Sequence, residues 1–129
     1  MYRQARLNAW RRKKPMIGQT YAKRSRCQAD HSHRSGLEAR VCDELRLRKI
    51  AGASDPNGIL DYDIEFRVRI QMGGFGWNHY VDFRTHDLDG GFTFVEAKGI
   101  KTPEWRRNWG CLQEMHKGDP MVRFQLIER

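Results

Sequence analysis

Long apolar runs are missing from this 129-residue chain, and no apolar segment follows its basic N-terminus. The first absence excludes a membrane-spanning helix, which takes about 20 consecutive apolar residues. The second is not compatible with a cleaved secretory leader. Cysteine is scarce: Cys27, Cys42 and Cys111 are odd in number and lack paired spacing, so we expect no disulfide framework and a reducing, cytoplasmic environment.

Two of these cysteines lie near two histidines in the sequence. Cys27, His31, His33 and Cys42 are the residue types that bind zinc, and they could in principle gather one ion. Their spacing, however, matches none of the common structural zinc patterns. A zinc site is therefore a minor alternative at this point.

Positive charge is concentrated at one end of the chain. The net charge is +8, but residues 1–34 carry ten Lys or Arg and a single acid, whereas residues 35–129 carry fourteen basic and fifteen acidic residues. Basic runs bind polyanions by releasing condensed counterions. We expect residues 1–34 to form a flexible nucleic-acid-binding arm; a solubilising tail or a localisation signal is the alternative. The candidate phosphate contacts in the arm are Arg11, Arg12, Lys13, Lys14, Lys23, Arg24 and Arg26.

Residues 35–129 show the periodicities of a single α/β domain. A helix is predicted from Ser35, where Ser-Gly-Leu-Glu fits a capping box, to about Ile50. A second helix is predicted from Thr102, followed by Pro and Glu. Alternating apolar residues predict four strands, at about 60–70, 79–85, 92–98 and 121–127. The order is therefore α-β-β-β-α-β, and the strand after the second helix indicates a mixed sheet with helices on its faces.

The residues with the most chemical potential lie on the predicted second and third strands. Asp82 is separated by thirteen residues from Glu96-Ala97-Lys98, and a turn between the two strands brings the acids side by side. Glu96 and Lys98 are two apart on a strand, so their side chains leave the same face. Two acids and an amine on one face suit a metal-dependent hydrolysis of a phosphodiester. The alternative for these residues is a set of exposed ion pairs, which contribute little.

This order and these residues resemble the PD-(D/E)XK nuclease superfamily, with its restriction-endonuclease-like fold. Small phage endonucleases and Holliday-junction-resolvase-like proteins are the most similar members, since the strand continues as Lys98-Gly99-Ile100-Lys101-Thr102. The resemblance implies Mg²⁺, with Mn²⁺ able to substitute, held by carboxylates and by the carbonyl of Ala97. It implies catalytic roles for Glu38, Asp82, Glu96 and Lys98, with the three acids as ligands. Glu38 also has a simpler interpretation as the acidic member of the capping box.

Three neighbouring features leave alternatives open. Lys101 and Thr102 begin the second helix, where backbone N–H groups suit a phosphate, but plain helix capping explains them equally well. We interpret His79 as a solvated histidine rather than a contact to phosphate or water. Trp105 and Trp109 are four apart on a helix, and core packing is favoured over base stacking.

We therefore expect a Mg²⁺-dependent DNA endonuclease of phage or prophage type, working in a bacterial host cytoplasm. An arm that binds charge rather than base edges favours branched or junction DNA over a defined sequence. DNA is the expected partner, a homodimer or a larger DNA-processing complex is possible, and no membrane is involved. The alternatives are a non-catalytic basic nucleic-acid-binding protein and a nuclease subunit that is active only inside such a complex.

Overall fold

The computed structural model of the protein describes residues 24–128. Most of the predicted basic arm, residues 1–23, lies outside this range. The remainder differs from the flexible arm expected from the sequence: Ser25–Arg26 (β1) pairs with Ser32–His33 (β2) in an antiparallel hairpin against the first helix. Within the described range, no helix is long and apolar enough to cross a membrane.

The first helix, α1, spans Gly36–Ala51. It begins as the sequence predicts, with Ser35 as the N-cap accepting a hydrogen bond from the backbone N–H of Glu38 at 3.1 Å. It ends at Gly52, whose positive φ of 52° suits a residue without a side chain and whose N–H bonds the carbonyl of Arg48.

Four strands form one mixed sheet in the order β3-β4-β5-β6. Its strands are β3 (Ile59–Met72), β4 (Phe75–Asp87), β5 (Phe92–Lys98) and β6 (Val122–Glu128). The first two neighbouring pairs are antiparallel and β5 pairs with β6 in parallel. A parallel pair needs a crossover, which is supplied by the second helix, α2 (Pro103–Met115). The predicted mixed α/β architecture with two helices and a mixed sheet is confirmed.

The first hairpin of this sheet is longer than the sequence suggests. The alternation of apolar residues stops near Ile70, yet β3 and β4 stay paired as far as Met72 and Phe75. Gly73 and Gly74 alone form the turn, with Gly73 at a φ of +59°. The segment between the first two predicted strands, residues 71–78, is therefore mostly strand, because a two-residue glycine turn lets the ladder continue.

Two apolar clusters lie on opposite faces of β5. Val95 joins the α1 side with Val41, Leu45 and Phe83. Phe94, the preceding residue, joins the α2 side, whose members include Val81, Val122, Trp105, Trp109 and Leu112. Successive strand residues point to opposite faces, so this distribution shows that the two helices cover both sides of the sheet.

The pairing between β4 and β5 is short. It covers four residue pairs and ends at Phe83 and Val95, while β4 continues along β3 and β5 continues along β6. The next position on each strand carries an acid, Asp82 on β4 and Glu96 on β5. The candidate site therefore lies where two central strands separate.

Candidate active site

Asp82 and Glu96 are both buried, with 6% and 0% of their surface exposed. Asp82 replaces the missing strand pairing with a side-chain contact: its Oδ2 accepts a hydrogen bond from the backbone N–H of Ala97 at 2.8 Å. This contact joins β4 to β5 just beyond the last paired residues, next to Glu96. Buried carboxylates are rare in proteins unless they are paired or bind a cation.

The buried acids interact with each other and with Lys98. Burial raises the pKa of Asp82 to about 8, and the neighbouring charges of Glu96 and Glu38 act in the same direction. The Ala97 N–H and the Lys98 ammonium act in the opposite direction. The pKa of Glu38 is also raised by burial, against the charges of Arg34 and Lys98. The structure thus brings Glu38, Asp82, Glu96 and Lys98 into one electrostatic group.

Glu96 is only partly satisfied. Its Oε2 is buried and has no hydrogen-bond partner within residues 24–128. The Nζ of Lys98 lies 3.7 Å from this oxygen, which is too far for a hydrogen bond. The same Nζ lies 6.0 Å from the centre of the Trp105 ring. An unsatisfied buried carboxylate oxygen costs more than about 1–3 kcal/mol. It is therefore a position at which a bound cation would be stabilising.

The other oxygen of Glu96 is held by a chain of side chains. Its Oε1 lies 3.1 Å from Nε2 of His79, whose Nδ1 lies 3.5 Å from Nδ2 of Asn108. Asn108 Oδ1 in turn accepts the indole N–H of Trp77 at 2.9 Å. Indole can only donate, so Asn108 presents its amide N–H to His79. His79 Nδ1 is then an acceptor, and the N–H at its Nε2 donates to Glu96.

Sequence reasoning missed this chain. His79 is mostly buried, with 12% of its side chain exposed, and is not the solvated residue expected. The signal that could have revealed it is Asn108, which falls on the buried stripe of α2 between Trp105 and Trp109 and before Leu112. A polar residue on the apolar face of a helix needs a polar partner inside the protein.

Glu65 adds a strained backbone beside the site. It lies between Ile64, which pairs with Phe83, and Phe66, which pairs with Val81, and so it is opposite Asp82. Its φ of +52° is unusual for a residue with a side chain. Strained backbones cluster at functional sites, where the surrounding structure holds them in place. The side chain of Glu65 is 42% exposed and lies 3.8 Å from Arg24.

The predicted nucleic-acid contacts in the described range also have structural partners. Arg24 donates to Ser32 Oγ at 2.7 Å, and Arg26 pairs with Asp30 at 3.1 Å, yet more than half of each arginine side chain is exposed. At the second helix, Lys101 pairs with Glu128, and Thr102 accepts the backbone N–H of Trp105 at 3.1 Å as the N-cap. The remaining candidates lie outside the described residues: Arg11, Arg12, Lys13, Lys14 and Lys23.

A second group of ligand-type side chains lies on the α1 side of the molecule. One potential ligand atom from each of Cys27, His31, His33 and Cys42 falls within 4.8 Å of the others. This cluster could hold a metal ion. Its sulfur and nitrogen donors differ from the carboxylates near Asp82 and do not suit Mg²⁺.

The two clusters are thus chemically distinct, one acidic with a lysine and the other built from thiols and imidazoles. No protein-family model, curated protein or solved structure matches this chain.

Proposed function

We propose that this protein is a divalent-metal-dependent DNA endonuclease of the PD-(D/E)XK type. The observation that carries the proposal is the buried Oε2 of Glu96, which has no hydrogen-bond partner among residues 24–128 and lies beside a second buried carboxylate, Asp82. Two buried acids repel each other unless a proton or a cation lies between them. A lysine within 3.7 Å of that oxygen supplies only part of the compensation.

The donor set fits Mg²⁺. Mg²⁺ prefers hard oxygen ligands and is usually bound by one or two carboxylates together with water and substrate phosphate. Asp82 and Glu96 would supply the carboxylates, with Glu38 as a further acid. Ala97 directs its N–H at Asp82, and the N–H and carbonyl of one strand residue point the same way, so its carbonyl also faces the gap between the strands.

When bound, a divalent ion polarises the scissile phosphate and lowers the pKa of a coordinated water. Charge stabilisation and orientation are assigned to two side chains of the protein. The Lys98 ammonium would neutralise negative charge that develops on the phosphoryl oxygens, since its Nζ lies 3.7 Å from Oε2 of Glu96 and 25% of its side chain is exposed. His79 fixes the orientation of the Glu96 carboxylate through its Nε2–H.

The substrate proposal rests on charge. The exposed arginines Arg24 and Arg26 continue the basic sequence of residues 1–23 to the edge of the described structure. Contacts to backbone phosphates position a protein on DNA without selecting a sequence. We therefore favour recognition of DNA shape, such as a branch or junction. The proposed phage or prophage role rests instead on the resemblance of residues 96–102 to small phage endonucleases.

Nicking of supercoiled plasmid tests the activity. We expect nicking with Mg²⁺ or Mn²⁺ and none in divalent-free buffer, where no chelator is added so that the Cys/His cluster is left undisturbed. Asp82→Asn and Glu96→Gln should abolish nicking and leave DNA binding intact. Asp61→Asn, a surface acid that pairs with Lys49 at 3.0 Å, is the matched control and should cut normally.

Three outcomes would contradict parts of the proposal. Binding without nicking in the wild-type protein indicates a non-catalytic nucleic-acid-binding protein. Nicking that needs an added partner indicates a subunit of a larger DNA-processing complex. Equal cleavage of branched, flapped and linear DNA at matched ionic strength rules out the preference for DNA structure.

A further inference from the structure

We propose that Cys27, His31, His33 and Cys42 form a structural zinc site that fastens the β1–β2 hairpin to α1. This proposal is independent of the nuclease activity, because the four residues lie outside the acidic site and supply different donor atoms. It rests on the distances among the four side chains, on a His33 nitrogen that has no hydrogen-bond partner within the described range, and on the way the hairpin is built.

The distances fit tetrahedral coordination. The Nδ1 of His31 lies 3.4 Å from Sγ of Cys27 and 3.4 Å from Sγ of Cys42. With Zn–S bonds of about 2.3 Å and Zn–N bonds of about 2.0–2.1 Å, tetrahedral geometry separates a sulfur and a nitrogen ligand by about 3.5 Å. A single S–H···N hydrogen bond would account for one of these contacts but not for both sulfurs and a second histidine within the same 4.8 Å.

His33 is the second, independent observation. Only 1% of its surface is exposed, and its Nε2 has no hydrogen-bond partner in the part of the chain that the structure describes. Two rings lie close to it, with His31 at 6.2 Å and Phe83 at 5.9 Å between centroids. A buried imidazole nitrogen without a partner is costly. Coordination to a metal uses the lone pair of a neutral imidazole and removes part of that cost.

A tight turn and the first helix bring the four side chains together. Cys27 begins a tight turn: its N–H donates to the carbonyl of His31 at 3.1 Å, and its own carbonyl accepts from Asp30 at 2.9 Å. Asp30 has a φ of +67°, a conformation that Asp tolerates better than most residues. The turn therefore places Cys27 and His31 together, while α1 presents Cys42 from its buried stripe.

The hairpin is small and depends on contacts with the rest of the chain. Its strands are two residues each, far shorter than an independently stable hairpin. Cys27 is the hairpin's buried apolar residue, and a hydrogen bond from the N–H of Gln28 to Asp43 at 2.7 Å adds one polar tie to α1. A metal bound to two hairpin histidines, a hairpin cysteine and a helix cysteine would make the folded hairpin part of the binding energy.

The donor set indicates zinc in a structural role. Two sulfurs and two imidazoles suit Zn²⁺ and not Mg²⁺ or Ca²⁺. Four protein ligands close a tetrahedral site, whereas catalytic zinc keeps one position for water or substrate. The hydroxyl of Tyr62 lies 3.8 Å from Sγ of Cys42 and is placed to donate to a thiolate there.

The test is metal binding by the full chain, purified under reducing conditions. We expect about one zinc ion per chain by elemental analysis, as four-ligand sites bind a single ion. Replacement of zinc by Co²⁺ should give the absorption of a tetrahedral site with thiolate-to-cobalt charge transfer. Cys27→Ser and His33→Gln should each weaken Co²⁺ binding at least about tenfold. Cys111→Ser and His116→Gln, on or just after α2, are the matched controls and should bind as the wild type does.

The wild-type protein decides the question even if a variant fails to fold. Reduced wild-type chain that holds no zinc and shows no tetrahedral cobalt spectrum overturns the proposal, as does a Cys27–Cys42 disulfide in protein that binds no metal once reduced. Loss of cobalt binding in the controls alone also overturns it. The readout is spectroscopic, so an inactive protein with zinc bound counts only against the nuclease, and an active protein without zinc counts only against the zinc site.

Discussion

His79 donates its Nε2–H to Oε1 of Glu96 across 3.1 Å, and Trp77, through Asn108, fixes which ring nitrogen carries that proton. The contact turns one oxygen of a buried carboxylate toward the protein and leaves the other without a partner among the described residues. Groups that orient a metal-binding carboxylate in this way change metal affinity by about 10–100-fold when they are removed.

The first prediction follows from that contact. His79→Ala should raise the Mg²⁺ concentration needed for half-maximal nicking by about 10-fold or more, because Glu96 loses its orientation. A Mg²⁺ titration of the nicking rate measures this. His86→Ala is the matched control, since His86 contacts Asp63 at 2.9 Å, away from the acidic site, and its side chain is 40% exposed; its titration should coincide with that of the wild type. An unchanged midpoint in His79→Ala shows that the histidine does not position Glu96.

Lys98 gives the second prediction. Lys98→Met keeps the approximate length of the side chain and removes its charge, so the maximal nicking rate should fall by about 10²–10³-fold while DNA affinity changes little. Single-turnover rates at saturating protein separate the two quantities. Lys49→Met removes an exposed lysine that pairs with Asp61 and should leave both unchanged. A purely weaker affinity in Lys98→Met would place Lys98 among the DNA contacts instead.

The third prediction concerns pH and stability. Asp82 has a folded-state pKa of about 8, raised by burial and then by Glu96 and Glu38, against 3.8 for the free group. Between those values the folded chain holds a proton that the unfolded chain releases. The contribution of Asp82 to the free energy of unfolding should therefore fall as pH rises from about 5 to 8 in Mg²⁺-free buffer, by an amount on the order of a few kcal/mol, whereas the lowered pKa of His33 acts in the opposite direction at the acidic end of this range.

Urea denaturation at about pH 5 and about pH 8 measures this change in the free energy of unfolding. The pKa of Glu38 is also raised, so Glu38 contributes to the decline of the wild-type protein in the same direction. The contribution of Asp82 is therefore measured by comparing the wild type with variants. Asp82→Asn should show a smaller decline than the wild type. Asp61→Asn should keep the wild-type decline, because the pKa of Asp61 is lowered and its titration falls below the window. Parallel declines in the wild type and Asp82→Asn would show that Asp82 is already ionised when folded.

The fourth prediction concerns residues 1–23, the part of the predicted basic arm that precedes the described structure. Residues 1–23 contain seven Lys or Arg and no acid. Deleting them should weaken binding to all DNA sequences and flatten the dependence of affinity on salt, by about 0.9 in the log–log slope for each phosphate that the arm neutralises. Fluorescence anisotropy over a range of salt concentrations measures both. Equal slopes for the full and shortened chains would mean that the arm has another purpose.

The sequence predicted the regular elements well because they follow local rules. The Ser35 cap, the Thr102-Pro103 start of α2 and the alternation along β5 each depend on residues close in the chain. The mixed sheet followed from the order of those elements. The hairpin formed by β1 and β2 was not predicted, because two-residue strands leave no periodic signal and its burial depends on α1.

The candidate site was predictable only in part. Strand positions placed Asp82 and Glu96 on neighbouring strands, but not their burial or the end of the ladder beside them. The contact between His79 and Asn108 joins residues 29 positions apart, and no local pattern reports such a pairing. The Cys/His cluster likewise depends on a turn and a helix meeting in space, so its spacing resembled no common motif.

The early end of the β4–β5 pairing places two buried acids together, which lowers the stability of the fold at the proposed site. An amide at position 82 would still accept the Ala97 N–H and would remove the repulsion between two buried acids, so at about pH 8 the Asp82→Asn chain should unfold at a higher temperature and urea concentration than the natural one. It would also lose the acid that faces Glu96. Proteins commonly lose some stability at their functional sites, and in this chain the proposed site coincides with the point at which the pairing of β4 with β5 ends.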